Sequence, residues 1–251
     1  MNNSLLHIVR QDVNQFLEQF DELLFNERDF QMHLATWLRN SANSYDDVDV
    51  EYFVPWHELE KVGEYIWKTE LRLDIVVKKD SVYVPIELKY KTKKLERQIH
   101  RFEEFLDDKV VVMKNQGAQD LGMYDFWKDV RRLELVKKRF EHVKGGLAVF
   151  VTNDSLYTQK SKPTSNHYLF SMVEGEVCSK QKHWRNPVSK CAQTHPDFDV
   201  EKEYSIKWCK REIDAVSFHY CIVTVQQRTY YYYGKEISNC RRIYIVCIRF
   251  R

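Results

Sequence analysis

Residues 69–93 read TELRLDIVVKKDSVYVPIELKYKTK, and the fold turns on how they pair. Leu71, Leu73, Ile75 and Val77 alternate with polar residues, and Val82, Val84, Ile86 and Leu88 do so again after a polar break. Period-two alternation rich in β-branched residues predicts two half-buried strands. Lys78-Lys79-Asp80-Ser81 is short enough to be a hairpin turn, and Asp tolerates the left-handed backbone such a turn needs. With Lys79-Asp80 as a two-residue loop, Val77 faces Val82, Ile75 faces Val84, Leu73 faces Ile86 and Leu71 faces Leu88. A one-residue slip would set each apolar side chain opposite a residue of the other face. Asp74 then lies across from Pro85 and diagonal to Glu87, on the face away from the aliphatic stripe, with Lys89 two residues further on. Diagonal neighbours on one face sit roughly 7–8 Å apart, less at the side-chain tips. Two carboxylates can therefore close on one divalent cation beside an ammonium.

The flanking chain has helical and extended periods in a definite order. Val13, Phe16, Leu17, Phe20, Leu23 and Leu24 give a helical spacing over residues 11–25. A second helix is expected from Asn26, a favoured N-cap residue, with Asp29 three places on. Its apolar face is Phe30, Leu34, Trp37 and Leu38, its first turn holds Glu27, and Gln31 follows one turn later. An acidic residue there suits the helix dipole, a role compatible with metal binding. Residues 40–49 read as a polar loop and Val50–Trp56 as a strand ended by Pro55. After the hairpin, LERQIHRFEEFL (95–106) reads as helix-like, with Ile99, Phe102 and Leu106 as its packing side. The longest helical pattern runs from Gly117 to Val143, with Met123, Trp127, Val130, Leu133, Val136 and Phe140 on one stripe. Asp125, Asp129 and Arg132 share another face and are placed to pair with one another. Gly145-Gly146 is expected to end that helix, and Leu147–Thr152 reads as a buried strand.

Asp74, twelve intervening residues, then Glu87-Leu88-Lys89 resembles the active-site signature of the PD-(D/E)XK nuclease superfamily. The Pro that names the motif is absent, since Leu73 precedes Asp74. A second acidic-x-Lys triplet, Asp107-Asp108-Lys109, lacks a strand of the same quality before it. Glu27 in NERDFQMHLATWL resembles the Glu that many members carry on the first core helix. The resemblance covers residues 11–152 and implies an α/β fold: a restriction-endonuclease-like αβββαβ core with a mixed central sheet flanked by helices. It implies a divalent-metal-dependent nuclease, with DNA as the expected substrate and 5′-phosphate and 3′-hydroxyl products. Asp74, Glu87 and the Leu88 carbonyl would hold Mg²⁺, with Mn²⁺ able to substitute. Glu27 would serve a second ion or a metal-bound water, Lys89 would orient the attacking water, and Gln31 would be auxiliary. A homodimer is left open. The rival reading is a nucleic-acid-binding module on the same fold that cuts nothing.

Composition sets the remaining bounds. With 43% hydrophobic and 30% charged residues in 251, the chain belongs with globular proteins, and a single domain accommodates it. The net charge of +2 conceals an asymmetry: residues 1–74 carry 15 acidic and 6 basic side chains, whereas the rest carries 22 and 33. The basic part suits a polyanion, with Lys91, Lys93, Lys94, Lys128 and Arg131 as candidate phosphate contacts. No run approaches eighteen apolar residues, which excludes a membrane-spanning segment. The N-terminus lacks a secretory pattern, so a cytoplasmic setting is expected. Six cysteines, all after residue 177 and none in a CxxC pair, fit reduced thiols. Residues 157–199 read as a loop-rich insertion whose Cys178, His183, Cys191 and His195 match no zinc spacing. Residues 204–251 read as a sheet extension, with strands at Tyr204–Trp208 and Phe218–Val225, followed by a tail from Gln226, rich in tyrosine and arginine, that is open to base stacking, to a further strand pair or to no defined role.

Overall fold

A computed structural model describes residues 4–226 and, for the backbone alone, Tyr230–Tyr232 paired with Lys235–Ile237. Most of the tyrosine- and arginine-rich tail, including Cys240 and Cys247, thus lies outside the described residues. The fold is α/β: a mixed six-stranded sheet packed against helices, with small hairpins around it. In chain order the sheet strands are β1 (Asp47–Val54), β2 (Leu71–Lys79), β3 (Val82–Lys91), β4 (Gly145–Thr152), β5 (Cys209–Ile213) and β6 (Val216–Gln226). They lie side by side as β1-β2-β3-β4-β6-β5. The β3–β4 pair is parallel and all the others are antiparallel.

Helices α1 (Leu5–Gln19) and α2 (Glu27–Arg39) cover one face, and the short α3 (Trp56–Glu60) precedes the long α4 (Gln119–Arg139) on the other. Asn26 caps α2 as expected, its side chain accepting from the Asp29 N–H at 2.9 Å, while Asp29 accepts from the Phe25 N–H. Strand β4 is buried along its whole length, because Leu147, Val149 and Val151 meet α1 and α2 while Ala148 and Phe150 meet α4. The two glycines expected to end α4 instead begin β4. A Cβ at Gly145 would stand 2.5 Å from the Val225 carbonyl oxygen, and one at Gly146 would stand 3.0 Å from that of Pro85.

Several expectations shift. The first helix covers Leu5–Gln19 rather than 11–25, and the first strand covers Asp47–Val54 rather than 50–56. The β2–β3 hairpin turns on Asp80-Ser81, both at positive φ (48° and 62°), so Val77 faces Val84 and Ile75 faces Ile86. The register is two residues from the one anticipated, an even shift that by itself moves no side chain to the other face but sets Val76, not Asp74, across from Pro85. Residues 95–106 are not helical. Leu95–Arg97 pairs with Val110–Met113, and His100–Arg101 pairs with Glu104–Phe105, around a tip at Phe102-Glu103 with positive φ at both residues. Phe102 is 98% exposed among the described residues, so it is not a packing residue there. Tyr204-Ser205 pairs with Val177-Cys178 in a separate small ribbon and does not extend the main sheet.

The aliphatic stripe of β2 also breaks. Leu71 and Leu73 pack on the α4 side, whereas Ile75 and Val77 pack against α1 and α2. An unbroken strand would keep all four on one face, so the chain changes sides at Asp74. Strand β1 changes with it: Val48 and Val50 pack with α1 and α2, and Val54 with α4. The residue between, Glu51, sits at φ 53°. The insertion adds Phe170, Met172, Trp184 and Phe198 to the α4-side core, so its loops are anchored from within. No helix among the described residues is long and apolar enough to cross a membrane.

Candidate active site

The paired register of β2 and β3 stops at Ile75–Ile86, yet β3 continues beside β4 to Lys91. Beyond that fork, β3 loses the neighbour on its β2 side, and side chains take over the exposed backbone groups. Asp74 Oδ2 accepts from the Leu88 N–H at 2.6 Å. Glu27 Oε2 accepts from the Tyr90 N–H at 2.9 Å. Just past the strand, Gln116 accepts from the Thr92 N–H at 3.2 Å. On the facing edge, the Gln31 amide donates to the Asp74 carbonyl at 2.7 Å and to Glu51 Oε1 at 3.0 Å. The fork thus gathers Glu27, Gln31, Asp74, Glu87, Leu88 and Lys89 in one place.

Glu87 and Lys89 alternate onto the α4 side of β3. Glu87 is 3% exposed, and its Oε1 has no hydrogen-bond partner among the described residues. Lys89 donates to the Leu88 carbonyl at 3.0 Å and forms a 2.5 Å ion pair with Asp129 Oδ2 on α4. Asp129 Oδ1 meets Arg132 at 3.5 Å. The expected Asp129–Arg132 pairing is present, and Asp125 pairs with Lys128. Sequence spacing gave no sign that Asp129 also reaches β3.

Charge follows this burial. Desolvation pushes the Asp74 carboxyl up to about 6, against the lowering effects of Lys89 and the Leu88 N–H, with Asp129 and Glu27 adding to the rise. Glu87 is raised well above its ordinary range by burial, then by Asp129 and Asp74. Burial alone would weaken the Lys89 ammonium, but Asp129, Glu27, Glu87 and Asp74 together hold it firmly protonated. Four carboxylates and the two cations Lys89 and Arg132 thus share one electrostatic neighbourhood, two negative charges in excess when all are ionised.

Those features suit a divalent cation: an orphaned buried carboxylate oxygen, a second raised carboxyl, and surplus negative charge. Asp74, Glu87 and the Leu88 carbonyl supply hard oxygen donors. They form two side-chain ligands, not three, and among the described residues no three His, Cys, Asp or Glu side chains make a ready cluster. A cation here would keep several waters, as Mg²⁺ does.

The candidate phosphate contacts are mostly engaged. Lys93 pairs with Asp154 at 3.0 Å, Lys94 with Glu96 at 2.5 Å and Lys128 with Asp125 at 2.9 Å. Arg131 is held by Glu134 and Glu201. Lys91 is half-buried at the end of β3. In the insertion, the Cys178 thiol donates to the Ser171 carbonyl, Cys191 meets Asp120, and His183 pairs with Asp199, so these groups do not converge. Comparison with family models, with curated proteins and with solved structures returns no match for this chain.

Proposed function

We propose that the chain is a divalent-metal-dependent nuclease that hydrolyses phosphodiester bonds, with DNA as the foremost substrate. The observation that carries this reading is the fork, where Asp74 and a buried Glu87 with an orphaned carboxylate oxygen meet Lys89 with Glu27 within the same field. Apart from the short α3 between β1 and β2, the order α2-β1-β2-β3-α4-β4 agrees with a restriction-endonuclease-like αβββαβ core, and the mixed sheet agrees with it too. Asp74, Glu87 and the Leu88 carbonyl would hold the cation. When bound, Mg²⁺ or Mn²⁺ supplies a Lewis acid for the phosphate oxygens and a water of lowered pKa.

The chain's own groups do the rest. Lys89 has three N–H donors. One donates to the Leu88 carbonyl while the ammonium is ion-paired with Asp129, which leaves donor capacity for a water or a phosphate oxygen. Its positive charge faces the negative charge that builds on the phosphate during attack. Glu27 keeps one carboxylate oxygen on the Tyr90 N–H and has the other for a metal-bound water. Gln31 holds the β2 side of the fork through the Asp74 carbonyl.

A binding module without cleavage finds less support, because Lys93, Lys94, Lys128 and Arg131 are neutralised within the chain. The test is cleavage of supercoiled, linear and single-stranded DNA, and of RNA, with and without Mg²⁺ or Mn²⁺. Wild-type protein should cut in the presence of metal, and Lys89→Ala should lose at least ~100-fold in rate. Undiminished cutting by Lys89→Ala, or none by the wild type, sinks the reading.

A further inference from the structure

The Lys89 side chain ends in a rotatable ammonium on a flexible four-carbon stem. Its position is therefore set by what it touches. Asp129 Oδ2 lies 2.5 Å from Nζ, and the Leu88 carbonyl oxygen lies 3.0 Å from it. Asp129 is itself 2% exposed in its side chain, and its other oxygen faces Arg132 at 3.5 Å. Arg132 stands with its guanidinium over the Trp67 ring, 5.7 Å from the centroid. Each carboxylate oxygen thus has its own cation, so the Asp129 carboxylate has little freedom to turn. A hydrogen bond to the Leu88 carbonyl and the close Asp129 charge together restrict where the ammonium stands.

We propose that Asp129 is the positioning residue for Lys89, steadied by Arg132, so that α4 aims the ammonium into the fork. This rests on the nuclease reading above. Asp129 does not reach the reacting atoms; it acts through Lys89 alone. Replacing its charged oxygen leaves the ammonium buried among the remaining carboxylates but no longer held on the α4 side. Partners of this kind around a metal site contribute about 10–100-fold when removed.

The experiment compares wild type, Asp129→Asn, Asp129→Glu and Lys89→Ala in Mg²⁺-dependent cleavage, with melting temperatures and ¹⁵N spectra of the Lys89 ammonium. Asp129→Asn should lower kcat by about 10–100-fold with KM little changed, and it should shift or broaden the Lys89 ammonium signal. Asp129→Glu keeps the charge one methylene further out and should recover part of kcat. If Asp129→Asn fails to fold, the Glu variant carries the test: a lowered kcat with KM unchanged supports the proposal, and an unchanged kcat overturns it. Wild-type kcat in Asp129→Asn with an unaltered ammonium signal, while Lys89→Ala is dead, overturns this proposal alone. A wild type that cuts nothing overturns the nuclease reading and takes this proposal with it.

Discussion

At the scale of single residues, Asp74 does two things at once, and they pull against each other. Its carboxylate satisfies the Leu88 N–H where β2 has left β3, so removing the oxygen altogether would strand a backbone donor, at about 1–3 kcal/mol. Its charge is costly where it lies. With its pKa pushed up from 3.8 to about 6 by burial, the folded metal-free protein binds the proton more tightly than the unfolded chain does. The stability this lends is complete below pH ~4 and is lost as pH rises through ~6. Asp74→Asn keeps an acceptor for Leu88 and removes the charge. It should therefore stabilise metal-free protein by about 1–3 kcal/mol at pH 8, and by little at pH 4, in urea unfolding. A divalent cation competes with the same proton, so Mg²⁺ should raise the wild-type melting temperature more at pH 8 than at pH 5. Equal shifts at both pH values would separate the cation from Asp74. The sequence made Asn26, Glu27, Asp74, Glu87 and Lys89 visible because each belongs to a local pattern. For Asp129 the sequence offers only a pairing with Arg132, because helical spacing reports neighbours along a helix, and its contact with a strand forty residues earlier leaves no periodic trace.

At the scale of elements, the two strands of the hairpin that decides the fold are legible in the alternation, but its turn and the face of Leu71 and Leu73 are not. Asp80 and Ser81 both occupy the left-handed region, a two-residue turn that Asn-Gly fills at lower cost. The double replacement Asp80→Asn with Ser81→Gly should stabilise the protein by about 1 kcal/mol, seen as a higher urea midpoint at unchanged m-value. A lower midpoint would mean that the turn's own side chains contribute more than its backbone strain costs. Residues 95–106 depart from the sequence reading for a different reason. LERQIHRFEEFL has helix-like spacing, but Val110-Val111-Val112 favours a strand and offers Leu95–Arg97 a partner, which a local window cannot weigh. The side change at Glu51 and Asp74 was hidden because strict alternation of apolar residues continues straight through it.

At the scale of the whole molecule, the insertion is less peripheral than its polar composition suggested. Its aromatic residues are irregularly spaced, so no period betrayed them, yet they complete the core beneath α4. Lys182 is buried with them, its ammonium 3.6 Å from the centre of the Trp127 ring and donating to the Leu169 carbonyl at 3.1 Å. Burial pulls its pKa down to about 7, with Cys178 acting weakly the other way. Between pH 7 and 10 the unfolded chain thus holds a proton at this lysine that the folded chain has released, and stability rises with pH across that window. Lys182→Met should be more stable than wild type near pH 7, by about 1–3 kcal/mol, with the margin shrinking towards pH 9.5. A margin independent of pH would show that the lysine stays charged in place.

The parallel pairing of β3 with β4 carries a consequence for how the molecule comes into being. Ile86 meets Leu147 across roughly 60 residues of intervening chain, and α4 lies inside that excursion. The hairpin can form as soon as its own residues have left the ribosome, with Asp74 and Glu87 already near one another. Lys89 must wait for a helix made much later, so the chain acquires its acidic groups first and its aimed ammonium last. Competence would then date from closure of the long loop, not from the first appearance of the ribbon.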